Sequence, residues 1–367
     1  MLGVIFLAGC AGNSVHQLPP SESTGTNVVH AFPTPMPTQP IPLSHAPQPT
    51  PPIEVPSATT SSLNDWAKAH GLAAPRRIPD MPVDAYSLTS KYGIMVLEIG
   101  SREVAWNGVQ LSLGFAPQLI DGEISLYGVD LEKNLEPLLC QPPATFATGG
   151  VIVIDPGHGG SNVGTHSIVD GRFEKEFTLD LAERLKPLLE AEGWKVYLTR
   201  NSDTYVTNAD RVVFAEEHHA DLFISLHFNS GAPDTKQAGL ETYCIPPTGM
   251  PSTISRGNYA DPWNEILPNN AFDAQNVELA VRIHTALLHS VGMQDRGVRR
   301  ARFIEVLRGQ QRPAILIEAG YLSNPHEARL IEDPDYRQKL AVALAAALAP
   351  GPKSEDRGSK MENGIWH

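Results

Sequence analysis

Four residues in the C-terminal half of the chain could hold a metal or move a proton. Three of them, His158, His227 and Glu318, stand at the carboxyl ends of short apolar runs typical of buried strands. Ligands of open α/β sheets bind at this edge, so the three are expected to converge. The fourth, Glu174, falls on the apolar face of a predicted helix, where a carboxylate is costly unless it is paired or bound to metal. Two histidines and one carboxylate around an open position are a common catalytic zinc set.

The elements that must position these residues alternate between strand and helix from residue 150 onward. The predicted strands are 151–154, 195–199, 221–227 and 314–318, and the predicted helices are 174–192, 208–219, 275–291 and 335–349. Such alternation implies an α/β fold, with a mostly parallel (mixed) twisted sheet flanked by helices on both faces.

Four short motifs surround the candidate residues. They are DPGHGG at 155–160, EKE at 174–176 followed by Leu179 and Ala182, SLHFN at 225–229 and IEAGYLSN at 317–324. With these motifs in this order, segment 146–350 resembles the zinc N-acetylmuramoyl-L-alanine amidases of the type-3 class.

The resemblance implies both the site and the reaction. His158, Glu174 and His227 would bind one Zn²⁺, and Glu318 would be the catalytic base. The reaction would be hydrolysis of the amide between N-acetylmuramic acid and the L-alanine of the peptidoglycan stem peptide. A zinc peptidase that cuts within the stem peptide is the first alternative. A non-catalytic wall-binding or regulatory protein and a lipid-tethered scaffold are the others.

Details near the motifs bear on the substrate. Phe228 stands where family members commonly have alanine, and its bulk is expected to narrow the substrate groove. Segment 245–276 is an insertion with five prolines, which disfavour a long helix. A substrate-contacting loop is its favoured interpretation, and an autoinhibitory plug and an inert insertion are the alternatives. Arg200 and Asn229 are candidate substrate contacts, with a structural ion pair and a turn position as their respective alternatives.

A small β-rich module is predicted over residues 61–145. A strand at 94–99, a hairpin turn at Asn107-Gly108 and another strand within 118–127 support it. The favoured interpretation is a structural module, and binding to the wall or to a partner is the alternative.

The N-terminus predicts export. Residues 2–9 are apolar, and the sequence LAGC at residues 7–10 resembles the lipobox of bacterial lipoproteins within a signal segment of residues 1–15. Cys10 would then carry lipid, although the usual basic n-region is missing, and a truncated ordinary signal peptide or chance is the alternative. The expected location is a membrane facing the periplasm, with the outer membrane preferred, and a soluble secreted or periplasmic protein is the alternative.

Two flanking segments have compositions that disfavour folding. Residues 16–60 contain 12 prolines and two charged residues, and form a predicted linker. At roughly 3 Å per residue it could reach ~100 Å, from a membrane to the wall. Residues 351–367 are a predicted disordered tail.

Charge and cysteines limit the partners and the metal ligands. The chain has 28 basic and 41 acidic residues and a net charge of −13, which argues against non-specific nucleic-acid binding. The cysteines, Cys10, Cys140 and Cys244, show no zinc-type spacing, so a metal site must use histidines and carboxylates. If Cys10 is lipidated, the other two could form a disulfide. The expected partners are peptidoglycan, a membrane through Cys10 and a protein activator, with no nucleic acid.

Overall fold

The computed structural model describes residues 59–79, 83–146, 149–255 and 257–349. The predictions for Cys10, for the linker up to residue 58 and for the tail from residue 351 therefore lie outside the described residues. Among the described residues, no helix is both long enough and apolar enough to cross a membrane.

The described residues form fourteen strands. They are β1 (Thr60–Ser62), β2 (Arg76–Arg77), β3 (Ala85–Thr89), β4 (Ile94–Glu98), β5 (Glu103–Trp106), β6 (Val109–Ser112), β7 (Gln118–Ile120), β8 (Glu123–Tyr127), β9 (Val151–Pro156), β10 (Lys195–Leu198), β11 (Leu222–Asn229), β12 (Leu240–Cys244), β13 (Asp295–Arg300) and β14 (Ala314–Tyr321).

The same residues form nine α-helices, one π-helix (Leu131–Leu135) and one 3₁₀-helix (Pro268–Phe272). The α-helices are α1 (Leu63–Ala69), α2 (Gly128–Asp130), α3 (Glu136–Leu139), α4 (Glu174–Ala191), α5 (Asn208–Glu217), α6 (Asp273–Val291), α7 (Glu305–Arg308), α8 (Pro325–Glu332) and α9 (Pro334–Ala347).

Eleven strands form one mixed sheet in the order β10-β9-β11-β14-β12-β13-β6-β5-β4-β3-β2. Strands β10, β9, β11 and β14 are parallel to one another, whereas β12 runs antiparallel to β14 and parallel to β13. A separate three-stranded sheet has the order β1-β8-β7. The predicted fold class, a mostly parallel (mixed) α/β sheet with helices on its faces and a small β-rich module before it, is confirmed.

Both faces of the central strands are buried, as a parallel sheet requires. Along β9, Ile152 and Ile154 pack in one hydrophobic cluster and Val153 packs in the other. Successive side chains of a strand point to opposite faces, so the two clusters are the two layers beside the sheet. Helix α4 supplies Phe177 to the first layer and α5 supplies Ala215 to the second.

The predicted hairpin of the N-terminal module joins β5 to β6. Its central residues Asn107 and Gly108 both have positive φ, 49° and 85°, as a two-residue type I′ turn requires. The predicted strands at 94–99 and within 118–127 correspond to β4 and to β7 and β8.

Strand β6 joins this module to the large sheet. Leu111 on β6 pairs in parallel with Val298 on β13, and the Gln110 backbone N–H donates to the Asp295 carboxylate at 2.8 Å. The guanidinium of Arg300 donates to Asn134 at 2.7 Å. Residues of the module and of the C-terminal segment also belong to the same hydrophobic cluster. The predicted boundary at residue 145 stays a prediction, but the two parts share a sheet and a core.

Candidate metal centre

His158 lies in the loop that follows β9. Its φ of 62° places it in the left-handed region, so the backbone turns sharply after Gly157. Gly157 has no room for a side chain, because an added Cβ would lie 2.2 Å from the His227 ring. Asn162 Oδ1 is 2.9 Å from His158 Nδ1. An Nδ1–H donated to Asn162 would leave the lone pair of His158 Nε2 facing the cluster.

Glu174, the first residue of α4, connects the two histidines. Its carboxylate oxygens lie 3.0 Å from His158 Nε2 and 2.9 Å from His227 Nδ1. The backbone N–H groups of Thr165 and Phe228 also donate to it, at 3.0 and 3.1 Å. Burial opposes ionisation of this carboxyl, but the histidines lower the pKa of Glu174 below its usual range.

The structure thus brings together the three predicted ligands. One donor atom from each of His158, Glu174 and His227 lies within 4.8 Å of the other two. The cluster is a candidate metal site.

Glu318 lies beside this cluster on β14. Its Cα partners are His227 on β11 and Glu241 on β12. The side chain is fully buried, and neither carboxylate oxygen has a hydrogen-bond partner among the described residues. Burial, together with the negative charges of Glu174 and Glu241, raises the pKa of Glu318 well above its usual value. A buried carboxyl without a partner is costly. Such groups are common in active sites, where the carboxyl contacts substrate or water.

A buried ion pair supports the loop that carries His158. Asp155, at the end of β9, pairs with Arg211 of α5, and Thr199 and Ser225 donate to it at 2.5 and 2.7 Å. Arg211 in turn donates to the backbone carbonyl of His158 at 2.7 Å. Charge-assisted hydrogen bonds from Arg211 therefore fix the loop that carries His158.

Arg200 has a similar supporting position. All three of its guanidinium nitrogens donate to protein groups, including the carbonyls of Pro156, Gly157 and Lys175 at 2.8 to 2.9 Å. The side chain is almost fully buried. This packing gives Arg200 a structural role through carbonyls and the Thr178 hydroxyl, not through the ion pair that is the alternative. Direct contact of Arg200 with substrate stays a prediction.

Asn229 leads to a residue that the sequence reasoning missed. It is the last residue of β11, not part of a turn, and its Nδ2 donates to Glu241 at 2.8 Å. Glu241 is fully buried on β12 and also accepts from Tyr243, Tyr321 and Arg296. Glu241 could not be found from the sequence because β12 was not predicted. Direct contact of Asn229 with substrate stays a prediction.

The prediction for Phe228 is wrong. Its side chain is buried in the hydrophobic core, and its ring makes an edge-to-face contact with Phe177 of α4, with centroids 6.3 Å apart. Because neighbouring residues of a strand face opposite sides, Phe228 points away from the face that His227 presents. It fills the core and does not narrow the groove.

The favoured interpretation of insertion 245–276 is also wrong. The insertion comes after β12, which runs against β14, so it leaves the sheet at the edge opposite to His227 and Glu318. Asn269 donates to the carbonyls of Gln310 and Arg312, just before β14 begins. The described residues of the insertion, 245–255 and 257–276, therefore belong to the far edge, which also disfavours an autoinhibitory plug.

The cysteines of the described residues are free. Cys140 is half-buried, and Cys244 is buried with Arg300 Nη1 3.0 Å from its sulfur. The disulfide considered between them is not formed in this structure.

An α/β sheet with a His–Glu–His cluster at the carboxyl ends of its strands defines a class of candidate metallohydrolases. Within that class, a family model described as N-acetylmuramoyl-L-alanine amidase matches residues 152–350, and the chain belongs to this family. It is thus a peptidoglycan amidase of the N-acetylmuramoyl-L-alanine type.

Individual relatives cover much of the same segment. The amidase AmiA of Escherichia coli (strain K12) is 29% identical over 228 residues, covering 56% of this chain and 78% of that protein. The sporulation-specific N-acetylmuramoyl-L-alanine amidase of Bacillus subtilis (strain 168) is 34% identical over 199 residues, covering 54% of this chain and 66% of that protein. The crystal structure of an N-acetylmuramoyl-L-alanine amidase from Clostridium difficile 630 is 30% identical, with a TM-score of 0.45, and covers 55% of this chain and 96% of that chain.

Proposed function

We propose that this amidase is zinc-dependent and hydrolyses the amide between N-acetylmuramic acid and the L-alanine of the stem peptide. One observation supports this above the others. The three clustered donor atoms lie beside Glu318, a fully buried carboxyl with no hydrogen-bond partner among the described residues.

The residues present fit zinc. His158, Glu174 and His227 would hold the ion, since two imidazole nitrogens and one carboxylate oxygen are a common catalytic set that leaves a position open. Hydrogen bonds from neighbouring groups orient these ligands, because Asn162 lies within hydrogen-bond distance of His158 Nδ1 and the Thr165 N–H donates to Glu174. The Glu174 carboxylate is buried between the two imidazoles, where a cation would find one anionic oxygen ligand and two nitrogen ligands.

Zinc bound there would supply Lewis-acid chemistry, which polarises the scissile carbonyl and makes water more acidic. Glu318 is placed to accept a proton from the attacking water and to return it to the departing amine of L-alanine. The same carboxyl must hold the proton until the C–N bond breaks. The neighbouring strand positions of His227 and Glu318 keep the base next to the metal ligands.

The test uses the full chain and purified peptidoglycan. Free stem peptides that begin with L-alanine, identified by mass spectrometry, are expected; they should be lost on chelation and restored by Zn²⁺. Glu318→Gln should abolish their release, whereas Glu217→Gln, an exposed glutamate on α5, should not change it. Shortened peptides still attached to sugar would make the protein a peptidase. Restoration by another metal but not by Zn²⁺ would reject the zinc assignment.

We also propose that Cys10 is lipidated and anchors the enzyme to a membrane facing the periplasm, preferably the outer membrane. The LAGC sequence and the proline-rich segment after it support this. A labelled fatty acid should be incorporated into the full chain and not into Cys10→Ser, and fractionation should release the variant from membranes. Label in Cys10→Ser, or a native chain that is soluble and carries no label, would contradict the anchor. A protein activator is a further proposal, and full activity of the purified chain alone would reject it.

A further inference from the structure

We propose that Arg296 and its neighbour Arg299 form a subsite for a carboxylate of the stem peptide, beyond the amide that is cut. The proposal rests on the function proposed above and specifies its substrate. It starts from a row of side chains that crosses four neighbouring strands on one face of the sheet.

The register of the strands defines this row. Glu318 is the Cα partner of His227 on one side and of Glu241 on the other. Directly paired residues of neighbouring strands project to the same face. The row continues to β13, because Arg296 Nε donates to Glu241 at 2.9 Å. A metal ligand, the proposed base, a buried glutamate and an arginine therefore follow one another along the substrate edge.

Glu241 is not available to a ligand. One of its oxygens accepts from Arg296 at 2.9 Å and lies 3.4 Å from Arg299 Nε. The other accepts from the side chains of Asn229, Tyr243 and Tyr321, at 2.7 to 3.2 Å. A carboxylate with this many donors is saturated. Its function here is to hold Arg296 in place.

Arg296, in contrast, has hydrogen-bond donors that are free to bind a ligand. Among the described residues only its Nε is found in a hydrogen bond, and 22% of the side chain is exposed. Its guanidinium carbon lies 5.2 Å from the centre of the Tyr321 ring, which fixes the plane of the group. The two terminal nitrogens of such a held guanidinium form a fork that matches a carboxylate.

Two arginines share one buried carboxylate. Arg296 and Arg299 both approach the same oxygen of Glu241, at 2.9 and 3.4 Å, so this carboxylate does not match each cation with an anion of its own. The Glu327 carboxyl lies within electrostatic reach of Arg296, but no hydrogen bond between the two is found among the described residues. An anionic group of the substrate could therefore form the direct contact that Arg296 still lacks.

The distance fits a peptide that extends from the metal cluster. Neighbouring strands are about 4.8 Å apart, so Arg296 lies three strands, or ~14 Å, from His227 along the sheet. The guanidinium of Arg296 reaches back to Glu241 of β12, so the group itself lies nearer two strand spacings, or ~10 Å, from His227. An extended peptide advances about 3.3 Å per residue, which places about the third residue of the stem peptide at Arg296.

Binding and hydrolysis are measured separately to test this. The first probe is an L-alanine-first tripeptide with an amidated C-terminus and free side carboxylates on its second and third residues. The second probe is the same peptide with both carboxylates amidated. Neither has a muramoyl amide to cut, so calorimetry with the zinc-loaded full chain reports binding alone.

The carboxylate peptide is expected to bind about 10- to 100-fold more tightly than the amidated one, since hydrogen bonds to charged groups are among the strong ones. Arg296→Gln should remove this preference by weakening the carboxylate peptide only, and Arg296→Lys should keep part of it. Arg76→Gln is the matched control, because Arg76 is exposed on β2 at the far end of the sheet.

Several results would overturn the subsite. They are equal binding of the two peptides by the native chain, an equal loss for both peptides in Arg296→Gln, and binding of free N-acetylmuramic acid that depends on Arg296 instead. If Arg296→Gln fails to fold, Arg296→Lys is the test. A carboxylate preference in Arg296→Lys as large as that of the native chain would reject bidentate binding by the Arg296 guanidinium. A preference for the carboxylate peptide without any peptidoglycan hydrolysis would reject the proposed function and keep the subsite. Hydrolysis of peptidoglycan without that preference would keep the proposed function and reject the subsite.

Discussion

Replacing Asp155 by asparagine is expected to destabilise the protein by about 3–5 kcal/mol, the usual effect of removing one partner of a buried ion pair. The side chains of Asp155 and Arg211 are almost fully buried. Asparagine keeps the volume but leaves the Arg211 charge without its partner. Thr199 and Ser225 would also face an amide that accepts through one atom only.

The sign of the pH dependence is set by the same contacts. Burial works against ionisation of Asp155, but Arg211 and the two hydroxyls outweigh it and lower its pKa. A carboxyl with a lowered pKa stabilises the fold above its unfolded value of about 3.9, and this stabilisation is lost as the pH falls toward the folded value. The asparagine variant has no such titration. The difference between native and variant should therefore be full at pH 7 and shrink below about pH 4.

Urea unfolding followed by tryptophan fluorescence at several pH values between about 3 and 7 measures both effects. Asp84→Asn is the control, because Asp84 forms an exposed ion pair with Arg77 at 2.7 Å. Such exposed pairs contribute about 0–1 kcal/mol. A difference below about 1 kcal/mol for Asp155→Asn at pH 7 would refute the reasoning, as would a difference that stays constant into acid.

Three further predictions use other parts of the structure. Gly157→Ala should lose bound zinc, measured by atomic absorption on the purified variant, because the new Cβ would lie 2.2 Å from His227; native zinc content would contradict this. Arg302→Met should lower the unfolding free energy by about 3 kcal/mol or more, because buried Arg302 pairs with Asp261 at 2.6 Å and donates to the carbonyls of Pro247 and Met250. Specific activity at low temperature should be kept, since these contacts lie in the insertion at the far edge. A fragment of residues 146–349 should show a broad, non-cooperative thermal transition, because it exposes the edge of β13 that pairs with β6; a sharp transition would show that the module is dispensable.

The sequence alone predicts the strands that carry the candidate site residues. Strands β9, β11 and β14 are short runs of buried aliphatic residues, and His227 and Glu318 stand on them where the polar residues begin. Helix α4 was recognisable from its apolar face, including the unusual position of Glu174. These signals are local, so they need no knowledge of the neighbouring elements.

The missed strands have no such local signal. β13 reads DRGVRR, in which Val298 is the only large apolar residue, and Arg300 is buried only because Asn134 and Cys244 accept from it. β12 reads LETYC, whose Glu241 is fully buried only because arginines of β13 and tyrosines face it. The polar residues of each strand are stabilised by partners on the other strand. The sequence of one segment does not show that it pairs with another segment about fifty residues away.

The direction of β12 decides which loops can recognise substrate. The parallel strands β9, β11 and β14 bring their carboxyl ends to the site, so the loops after them, including 157–173 and 230–239, border it. β12 and β13 run the other way, and they contribute residues near their beginnings, Glu241 and Arg296. The segments after β12 and β13 leave toward the opposite edge, so the long insertion after β12 lies away from the proposed substrate site. Differences in specificity between such amidases should therefore map to the loops after β9, β11 and β14 and to the first residues of β12 and β13, which run antiparallel to those strands.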